Sequence, residues 1–488
     1  MQLKLDPKII LFFIILGITE IYMVGAFGSV EPSFGDPASE YRSNSRLLLL
    51  LTALSGLFLL PQGRSPSPVP FFPRLLYIPL LILLVWGLIS ILNAKSDQRM
   101  FEFIFRPVGE RPWEWGPGTE TLSTTKGLVW ELFIVTLFIA TVIKSTYSSA
   151  WIGILGSFVF CGVAVTLCGF LHQALDMPHI YGLETIRGRE VILPDTAFPP
   201  FVYNANAAQF LNLAIALALG LAAYSHRSNP DSAFVYLWIA CAGICVFGVV
   251  LAASKAGVLI MIAQLGGFLL WEGRYLYKAW KKRRERSLGL TMERKAALGA
   301  VGGLFAIFII AAAPKVISRF GELIEHSQRE EGSATMTGRA AMRAEMIDLM
   351  DPDKIGWRGS GPGSFAHFMP FIVDQEDQEI FTQLWHFAHC DPLQTIVEWG
   401  FLGAACWFFI GIGAVARAAW FGWNQEEGSS NSHAFKGLVI ALTGVGLHST
   451  YDFPLSVFSI HVVAMTCVTV AWTLRSSGHG RKGKLRRA

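Results

Sequence analysis

The most informative shortage in this 488-residue chain is a shortage of charge, since only 16% of its residues are Asp, Glu, Lys or Arg. Soluble proteins carry about a quarter charged residues. This chain is 52% hydrophobic, and its mean hydropathy is +0.45. The apolar residues fall in repeated runs of about twenty, the length that a helix needs to cross a bilayer core about 30 Å thick. The composition therefore excludes a soluble globular protein and predicts a polytopic membrane protein.

Cysteine is also scarce, and its placement excludes two further classes of protein. Of the seven cysteines, only Cys390 stands in a polar segment, and the others lie inside apolar runs. Without a second cysteine in a loop there is no disulfide framework, and no spacing of Cys and His matches a zinc site. The net charge of +4 is small and gives no reason to expect nucleic acid as a partner.

Twelve apolar segments are candidates for membrane spans. Every backbone N–H and C=O inside lipid must be hydrogen-bonded within the protein, so we interpret these segments as helices; the strands of a barrel would be about half as long and would alternate in polarity. The second segment is the shortest and the weakest candidate. The predicted spans are 8–28, 46–60, 74–93, 126–146, 150–171, 205–224, 233–253, 255–277, 296–313, 393–416, 434–450 and 455–474.

Lys and Arg indicate how these spans are oriented. With the N-terminus in the cytoplasm, the basic run KKRRER after the eighth span and the basic tail 476–488 both fall on the cytoplasmic side, as the positive-inside rule requires. The basic run could instead bind anionic lipid or nucleic acid, but an orientation signal is the simpler interpretation. The sequence thus predicts that both termini are cytoplasmic.

This topology divides the chain into four parts and predicts an all-α polytopic membrane protein with about twelve transmembrane helices. The parts are the first nine spans (1–313), one large outer loop (314–392), the last three spans (393–475) and the basic tail (476–488). The large loop is expected to contain short helices. One of them is predicted over Gly338–Met350, with Thr335 or Thr337 as its N-cap and Asp351-Pro352 as its stop.

Several short motifs in the second half of the chain carry a family resemblance. They are YNANAAQF (203–210), LAASKAG (251–257), TGR (337–339) followed by GSGPGSF (359–365), HCDPLQTIVEWGFLG (389–403) and HSTYDFPL (448–455). In this order, on a twelve-span topology, they resemble the bacterial O-antigen ligase/O-antigen polymerase family of membrane glycosyltransferases. The resemblance covers roughly residues 200–460, which would form one ligase-like domain.

The resemblance implies a function and a location. Members of this family take a glycan from undecaprenyl pyrophosphate and join it to an acceptor hydroxyl, with inversion and without a metal or other cofactor. The resemblance therefore implies a multi-pass protein of the bacterial inner membrane whose active site and large loop are periplasmic. Three positions depart from the family's usual pattern. Lys255 stands where arginine is usual, Cys390 stands where asparagine is usual, and Arg343 stands where relatives often have an aromatic residue.

His389 is the candidate catalytic base. Histidine is the side chain whose ordinary pKa best suits proton transfer near neutral pH. His389 stands beside Asp391, just before an apolar span and on the predicted outer face. By itself this pattern fits a loop histidine that contacts a carbonyl or a headgroup better than it fits a base, and the resemblance reverses that preference. His386 is three residues earlier and could share a helix face with His389, but no further ligand stands at a useful spacing, so we expect no metal.

Cations are the candidates for holding the leaving pyrophosphate, since fixed positive charge stabilises developing negative charge. Lys255 stands at the outer end of a span, and Arg339 stands at a predicted helix N-terminus, whose free amides also favour phosphate. Lysine lacks the bidentate fork of arginine, which weakens the argument for Lys255. For both residues the alternative is snorkelling or a surface ion pair.

Further candidates complete the predicted site. Asp452 stands in a short outer loop, where it could orient the base, bind acceptor hydroxyls or simply cap a helix before Pro454. The motif GSGPGSF has no Lys-Ser or Lys-Thr pair, so it predicts turns and not a nucleotide-binding loop. The remaining substrate-binding candidates are Arg343 and Asn206, which stand within the motifs, and the outer-loop residues Arg187 and Arg189, for which a surface role is the simpler interpretation.

Three functions remain open on these grounds. The first is ligation of a lipid-linked glycan to a hydroxyl of lipid A core, of a glycan or of a protein. The second is polymerisation by the same chemistry, with another lipid-linked glycan as acceptor. The third is transport, which predicts charges deep in several spans and broken helices in paired halves. Charges within the spans are few here, so transport is the weakest of the three.

Overall fold

The computed structural model of the chain describes residues 6–25, 36–61, 71–97, 116–119, 121–177, 185–186, 189–190, 197–230, 232–285, 330–351, 357–367, 386–424 and 429–474, together with Gly303, Ser318 and Gly321. Across these residues the regular structure is helical apart from two isolated bridges and one antiparallel hairpin. The strands of the hairpin, β1 (Thr185–Ile186) and β2 (Arg189–Glu190), have two residues each.

The described helices run from α1 to α12, with a 3₁₀ turn at Pro454–Ser456 before the last one. In chain order they are α1 (Pro7–Gly25), α2 (Asp36–Leu59), α3 (Phe71–Leu92), α4 (Leu122–Ser145), α5 (Ala150–Ala174), α6 (Asn204–Ser228), α7 (Ala233–Ala252), α8 (Lys255–Glu285), α9 (Glu330–Leu349), α10 (Asp391–Asn424), α11 (Ser430–Ser449) and α12 (Phe458–Thr473).

Eight of the described helices are long and apolar enough to cross a membrane, namely α1, α3, α4, α5, α6, α7, α8 and α10. The predicted membrane-spanning, helical class is therefore confirmed. Helices also lie at the predicted second, eleventh and twelfth spans, but α2 begins with polar residues and α12 has only 16 residues. The predicted ninth span, 296–313, lies outside the described residues except for Gly303. The count of twelve and the division into four parts stay predictions.

Helix α6 forms the centre of the bundle. Most of its residues are buried, and it packs against α5, α7, α8 and α11. Its small residues permit this, since a β-carbon added to Gly220 would lie only 2.9 Å from the α-carbon of Gly437 in α11. Lipid supplies no hydrophobic drive for helices to associate, so close backbone contact at small residues is a main source of stability.

Two helices differ from what the sequence predicts. Helix α9 begins at Glu330, so Thr335 and Thr337 lie inside it, and the prediction that either residue caps it is wrong. The end of α9 at Leu349, just before Asp351-Pro352, is confirmed. Helix α10 is broken at Gly400, whose backbone angles are φ 67° and ψ 177°. Only glycine adopts this region readily, so the glycine of the histidine motif divides α10 into two segments.

Side-chain hydrogen bonds hold together one end of the bundle, which we call the site end. It is the end where α6, α8 and α10 begin and where α7 and α11 end. The amide of Asn204 donates to the carbonyl of Ala252 (3.0 Å), which brings the start of α6 to the end of α7. The indole of Trp86 in α3 donates to the carbonyl of Trp399 (2.9 Å) beside the break in α10. The opposite end, where α8 and α10 end and α11 begins, is called the far end.

Candidate active site

His389 lies at the site end, two residues before α10, in a left-handed backbone conformation with φ 47°. This conformation is uncommon for a residue other than glycine, and it often marks a functional position. The Nδ1 atom of His389 lies 2.9 Å from Oδ1 of Asp452, and the imidazole keeps 19% of its surface exposed. The structure thus gives the predicted base an acidic partner 63 residues away in the chain.

Asp452 is held in the turn after α11. Its backbone N–H donates to the carbonyl of His448 (3.0 Å), and its Oδ1 accepts from the N–H of Phe453 (3.1 Å). Burial would raise the pKa of this carboxyl, but the hydrogen bond from His389 and the charges of His389, Arg339 and His448 lower it below its ordinary value. Asp452 is therefore a carboxylate near neutral pH.

Tyr203 extends this pair into a polar chain that the sequence did not predict. The Nη2 atom of Arg339 in α9 donates to the Tyr203 hydroxyl (3.2 Å), and that hydroxyl donates to Asp452. Burial, and after it the charge of Asp452, raise the pKa of Tyr203, so it stays a protonated donor. The signal in the sequence was that Tyr203 opens the motif YNANAAQF, but its partners stand far away in the chain.

Aromatic rings form one wall around the pair. The ring of Phe453 stacks on Phe387 at 4.2 Å between centroids and on Tyr203 at 5.8 Å, and it meets the imidazole of His389 edge-on at 4.9 Å. These contacts hold the imidazole against an apolar surface on one side. A substrate could approach the exposed part of His389 from the side of the ring that faces away from Phe453 and Asp452.

Asp391, the acid that stands beside His389 in the sequence, faces the turn before α12. Its Oδ2 accepts from the backbone N–H of Leu455 (2.9 Å), and its Oδ1 accepts from the hydroxyl of Ser456 (3.2 Å). The backbone N–H of Asp391 points to the carbonyl of Asp452 (3.4 Å). Asp391 therefore ties the start of α10 to the segment that carries Asp452, which favours a positioning role over direct proton transfer.

The cationic candidates lie at the site end in different settings. Arg339 lies nine residues inside α9 and not at its N-terminus, so the argument from free helix amides does not apply to it. The Nη2 atom of Arg343, one turn further on, donates to the carbonyl of Thr450 (3.1 Å), and its guanidinium lies 5.6 Å from the centre of the Tyr451 ring. Lys255 is exposed as the first residue of α8.

The other predicted substrate-binding residues are less directly placed. Asn206 is buried in the first turn of α6, and its backbone N–H donates to the carbonyl of Tyr203 (3.2 Å). Arg187 lies outside the described residues. The backbone of Arg189 forms part of β2, and its side chain lies outside what is described. In the part of the chain that the structure describes, no three His, Cys, Asp or Glu side chains are grouped so that they could hold a metal ion.

The motif GSGPGSF supports the break in α10. Because the helix is interrupted at Gly400, the carbonyls of Val397 and Glu398 accept from the N–H groups of Ser360 (2.8 Å) and Gly361 (2.9 Å). The carboxylate of Glu398 also accepts from the N–H groups of Gly363 (3.0 Å) and Phe365 (3.3 Å). The glycine motif thus serves as a turn, as predicted, and it supplies backbone donors to the helix that follows His389.

Glu398 is linked onward to the base. Its Oε1 accepts from the amide of Gln394 (3.1 Å), and the oxygen of that amide accepts from the backbone N–H of Ala388 (3.1 Å). Ala388 is fully buried and directly precedes His389. This chain of hydrogen bonds fixes the segment that carries the imidazole. The sequence did not single out Gln394 or Glu398, because their partners lie in a different motif.

The comparison with protein families supports the resemblance found in the sequence. Residues 210–408 match the family described as O-antigen ligase. The predicted resemblance to the O-antigen ligase/polymerase family is therefore confirmed, and it supports glycan transfer at the level of the family. The matched segment runs from α6 to the second half of α10, so it contains Lys255, Arg339 and His389 and ends before Asp452. No curated protein matches the chain.

Together, the ligase-family match and the apolar helices indicate a multi-pass bacterial membrane protein. For this family the expected partners are a lipid-linked glycan, an acceptor and the membrane itself.

Proposed function

We propose that the protein transfers a glycan from undecaprenyl pyrophosphate to an acceptor hydroxyl on the periplasmic side of the inner membrane, with His389 as general base. The observation that carries this proposal is the partly exposed His389, paired with the buried carboxylate of Asp452 at the site end of the bundle. The match to the ligase family supports the class of reaction, and the pair supplies the chemistry.

The contact with Asp452 indicates which nitrogen of His389 would accept the proton. Nδ1 faces the carboxylate of Asp452, so Nδ1 carries the proton and donates a hydrogen bond to Oδ1. The lone pair is then on Nε2. Nε2 would take the proton of the acceptor hydroxyl as that oxygen attacks the anomeric carbon. The bond from the anomeric carbon to the pyrophosphate oxygen breaks, and the pyrophosphate leaves with the electron pair. Asp452 stabilises the imidazolium that forms.

Two arginines are the strongest candidates for the leaving pyrophosphate. Among the described residues, the Nε atoms of Arg339 and Arg343 are buried donors with no hydrogen-bond partner. Leaving such a donor unpaired is costly, and a phosphate oxygen would satisfy it. Lys255 adds a positive charge at the same end, since the bond from Asn204 to Ala252 places the start of α8 near the start of α6. We propose that these three residues bind the donor's phosphates.

The central experiment measures glycan transfer by the purified protein in detergent or nanodiscs, with a lipid-pyrophosphate glycan and candidate hydroxyl acceptors. His389→Ala should reduce the rate by about 10²–10⁴-fold, the usual contribution of a positioned base. The matched control is His433→Ala, which removes a second carboxylate-paired histidine at the far end. Equal transfer by the wild type and His389→Ala would refute the assignment of the base.

The same assay separates ligation from polymerisation. If lipid A core, a protein or a free glycan serves as acceptor, the product leaves the carrier lipid. If a second lipid-linked glycan is required, the product stays on the carrier and grows in length. The site end would serve either acceptor with the same base, so product length is the deciding measurement.

The orientation is tested by labelling a single cysteine introduced at Ser430, where α11 begins at the far end. The experiment uses a variant in which the seven native cysteines are replaced. The proposed topology places residue 430 in the cytoplasm, so a membrane-impermeant thiol reagent should label it only after the membrane is broken. Labelling of intact cells would place the site end in the cytoplasm and overturn the periplasmic assignment.

A further inference from the structure

A buried ionic cluster between α2 and α4 is not used by the proposed reaction. The carboxylate of Glu131 in α4 accepts from Nε and Nη2 of Arg42 (2.9 and 3.1 Å) and from Nε and Nη2 of Arg46 (3.1 and 2.9 Å). Two guanidinium groups thus share one carboxylate. His461 of α12 lies near this cluster.

The charges of this cluster do not balance. Among the side chains that the structure describes here, two arginines and one glutamate leave one positive charge in excess, before any contribution from His461. The Nη1 atoms of Arg42 and Arg46 take no part in the bonds to Glu131, so each guanidinium has donors left. An uncompensated charge at membrane depth is costly, so a second anion beside the arginines would be stabilising.

The two arginines of the cluster are partly exposed. The side chains of Arg42 and Arg46 keep 16% and 14% of their surface exposed, whereas Glu131 keeps 9%. The neighbouring residues on α4 that face outward are Lys126, Trp130 and Phe133, and Trp130 and Phe133 stack at 5.3 Å. An exposed lysine above an aromatic pair is typical of the headgroup region of a membrane protein.

The position of the cluster along the bundle is also defined. Glu131 is nine residues after Leu122, about 13 Å from the start of α4. A β-carbon added to Gly127 would lie 3.4 Å from Nη1 of Arg46, and half a turn nearer the helix start Thr125 donates to the carbonyl of Pro362 in the glycine motif (3.0 Å). The arginines therefore lie one to two turns below the site end, at a depth that a lipid phosphate can reach.

We propose that Arg42 and Arg46 form a binding site for the phosphate group of a membrane lipid. The planar guanidinium is well matched to phosphate, and two such groups at one lipid-facing groove give both charge and directed donors. The site takes an anionic lipid in the leaflet at the site end. Glu131 neutralises one of the two positive charges, and the lipid phosphate neutralises the remaining charge. This inference stands whether or not His389 is the catalytic base.

The test measures lipid that stays bound to the purified protein by native mass spectrometry, and the thermal shift on adding lipid. The probes are phosphatidylglycerol, phosphatidylcholine as the net-neutral comparison, and a polyprenyl pyrophosphate without a glycan. Phosphatidylglycerol should raise Tm more than phosphatidylcholine. A stronger effect of the polyprenyl pyrophosphate would identify the carrier lipid as the occupant, and equal or weaker effects would identify bulk phospholipid.

Two variants with opposite expected effects distinguish a lipid site from a purely structural ion pair. Arg42→Gln removes the excess charge and should lower bound anionic lipid about tenfold or more. Glu131→Gln increases the excess charge, so it should retain or increase bound lipid and enlarge the thermal shift. If both variants lose lipid equally, or if neither does, the proposal is wrong.

Two further variants keep the test decisive if Arg42→Gln does not fold. Arg42→Lys retains the charge but not the fork, and it should bind phosphatidylglycerol with reduced affinity; binding equal to that of wild type would overturn the role of the guanidinium. Lys436→Gln removes a carboxylate-paired cation at the far end. It should leave bound lipid unchanged, and a loss as large as that of Arg42→Gln would show that the effect is not specific to this site.

Discussion

The protein contains two histidine–carboxylate pairs with nearly the same geometry and very different surroundings. At the site end, Nδ1 of His389 lies 2.9 Å from Asp452, and at the far end Nδ1 of His433 lies 2.8 Å from Glu272. His433 and Glu272 keep only 4% and 0% of their side-chain surface exposed, and Lys436 lies 2.6 Å from the same carboxylate. The far pair is therefore shielded from solvent, and the positive charge of Lys436 balances the negative charge of Glu272.

The difference between the pairs shows that a hydrogen bond between histidine and an acid does not by itself define a catalytic site. His433 lies within a regular helix, and the ring of Tyr275 lies 4.7 Å from its imidazole. His389 lies in a left-handed conformation outside any helix, and it is reached from the side that Phe453 leaves open. Access, backbone geometry and nearby arginines with unused donors separate a site from a structural bond.

The largest expected effect comes from removing the exposed imidazole. His389→Ala should lower the transfer rate by about 10²–10⁴-fold, because no other group at the pair can accept the proton from the acceptor hydroxyl. Its Tm should fall less than that of His433→Ala, since the imidazole of His389 is partly exposed. Rates are compared at equal concentrations of folded protein, judged by size-exclusion elution. If His389→Ala lost activity only because it unfolds, the site pair would have the same structural role as the far pair, and the prediction would be wrong.

The next effect comes from the carboxylate of the site pair. Asp452→Asn should lower the rate by about a hundredfold, because the amide no longer stabilises the imidazolium or selects the tautomer with an unprotonated Nε2. Asp452→Glu is the conservative variant and should recover part of the rate. If Asp452→Asn had full activity, Asp452 would not orient the base.

The same residue has a pH signature. Its pKa is lowered in the folded protein from an ordinary value of 3.8. A lowered pKa means that the carboxylate contributes stability that is fully present above about pH 4 and is lost as the pH falls through the folded-state value. The difference in Tm between wild type and Asp452→Asn should therefore stay constant from pH 8 to about pH 5. A difference that already fades between pH 7 and pH 6 would contradict the lowered pKa.

A smaller effect is expected from the break that positions the site. Gly400→Ala forces alanine into a conformation that costs about 1–3 kcal/mol, and its β-carbon would lie 2.6 Å from the carbonyl oxygen of Trp357. Gly411, in the same helix, has no atom within 4 Å of an added β-carbon, so Gly411→Ala should be neutral or stabilising by up to about 1 kcal/mol. Thermal unfolding in detergent checks both variants. Equal stability of the two would show that the break does not need glycine.

The smallest effect on activity is expected at the far pair. His433→Ala should leave the transfer rate close to that of wild type and lower stability by about 1–3 kcal/mol, since it leaves Glu272 with one buried partner fewer. The far pair joins α8 to α11, so its loss should appear as a lower Tm. A loss of activity as large as that of His389→Ala would mean that the two pairs do not differ in function.

Asp391 and Asp452 show what could not be predicted from the sequence. His389, Asp391 and Asp452 were all predicted as site residues, but the sequence did not show which of the two acids meets the imidazole. Asp391 turns to Leu455 and Ser456, and the imidazole faces Asp452 instead. The direction in which a side chain points depends on the backbone angles of its residue, such as φ 47° at His389. No local sequence pattern specifies these angles.

What the sequence determined by itself is the class of molecule and its resemblance to a family. Long apolar runs with few charges require helices in a membrane, because no other structure satisfies the backbone in lipid except a closed barrel. The ordered motifs predicted a resemblance to the ligase family, and the model of that family matches residues 210–408. Both signals are contained within short stretches of chain, so they can be read without knowing which helices are neighbours.

Only the tertiary structure decided which distant groups meet. The chain from Arg339 through Tyr203 to Asp452 and His389 draws on four segments, and Glu398 joins the glycine motif to the helix that follows the base. The two arginines of α2 meet Glu131 of α4 in the same way. Such contacts arise from the packing of many helices at once, where each pair of polar groups must be satisfied in a medium without water.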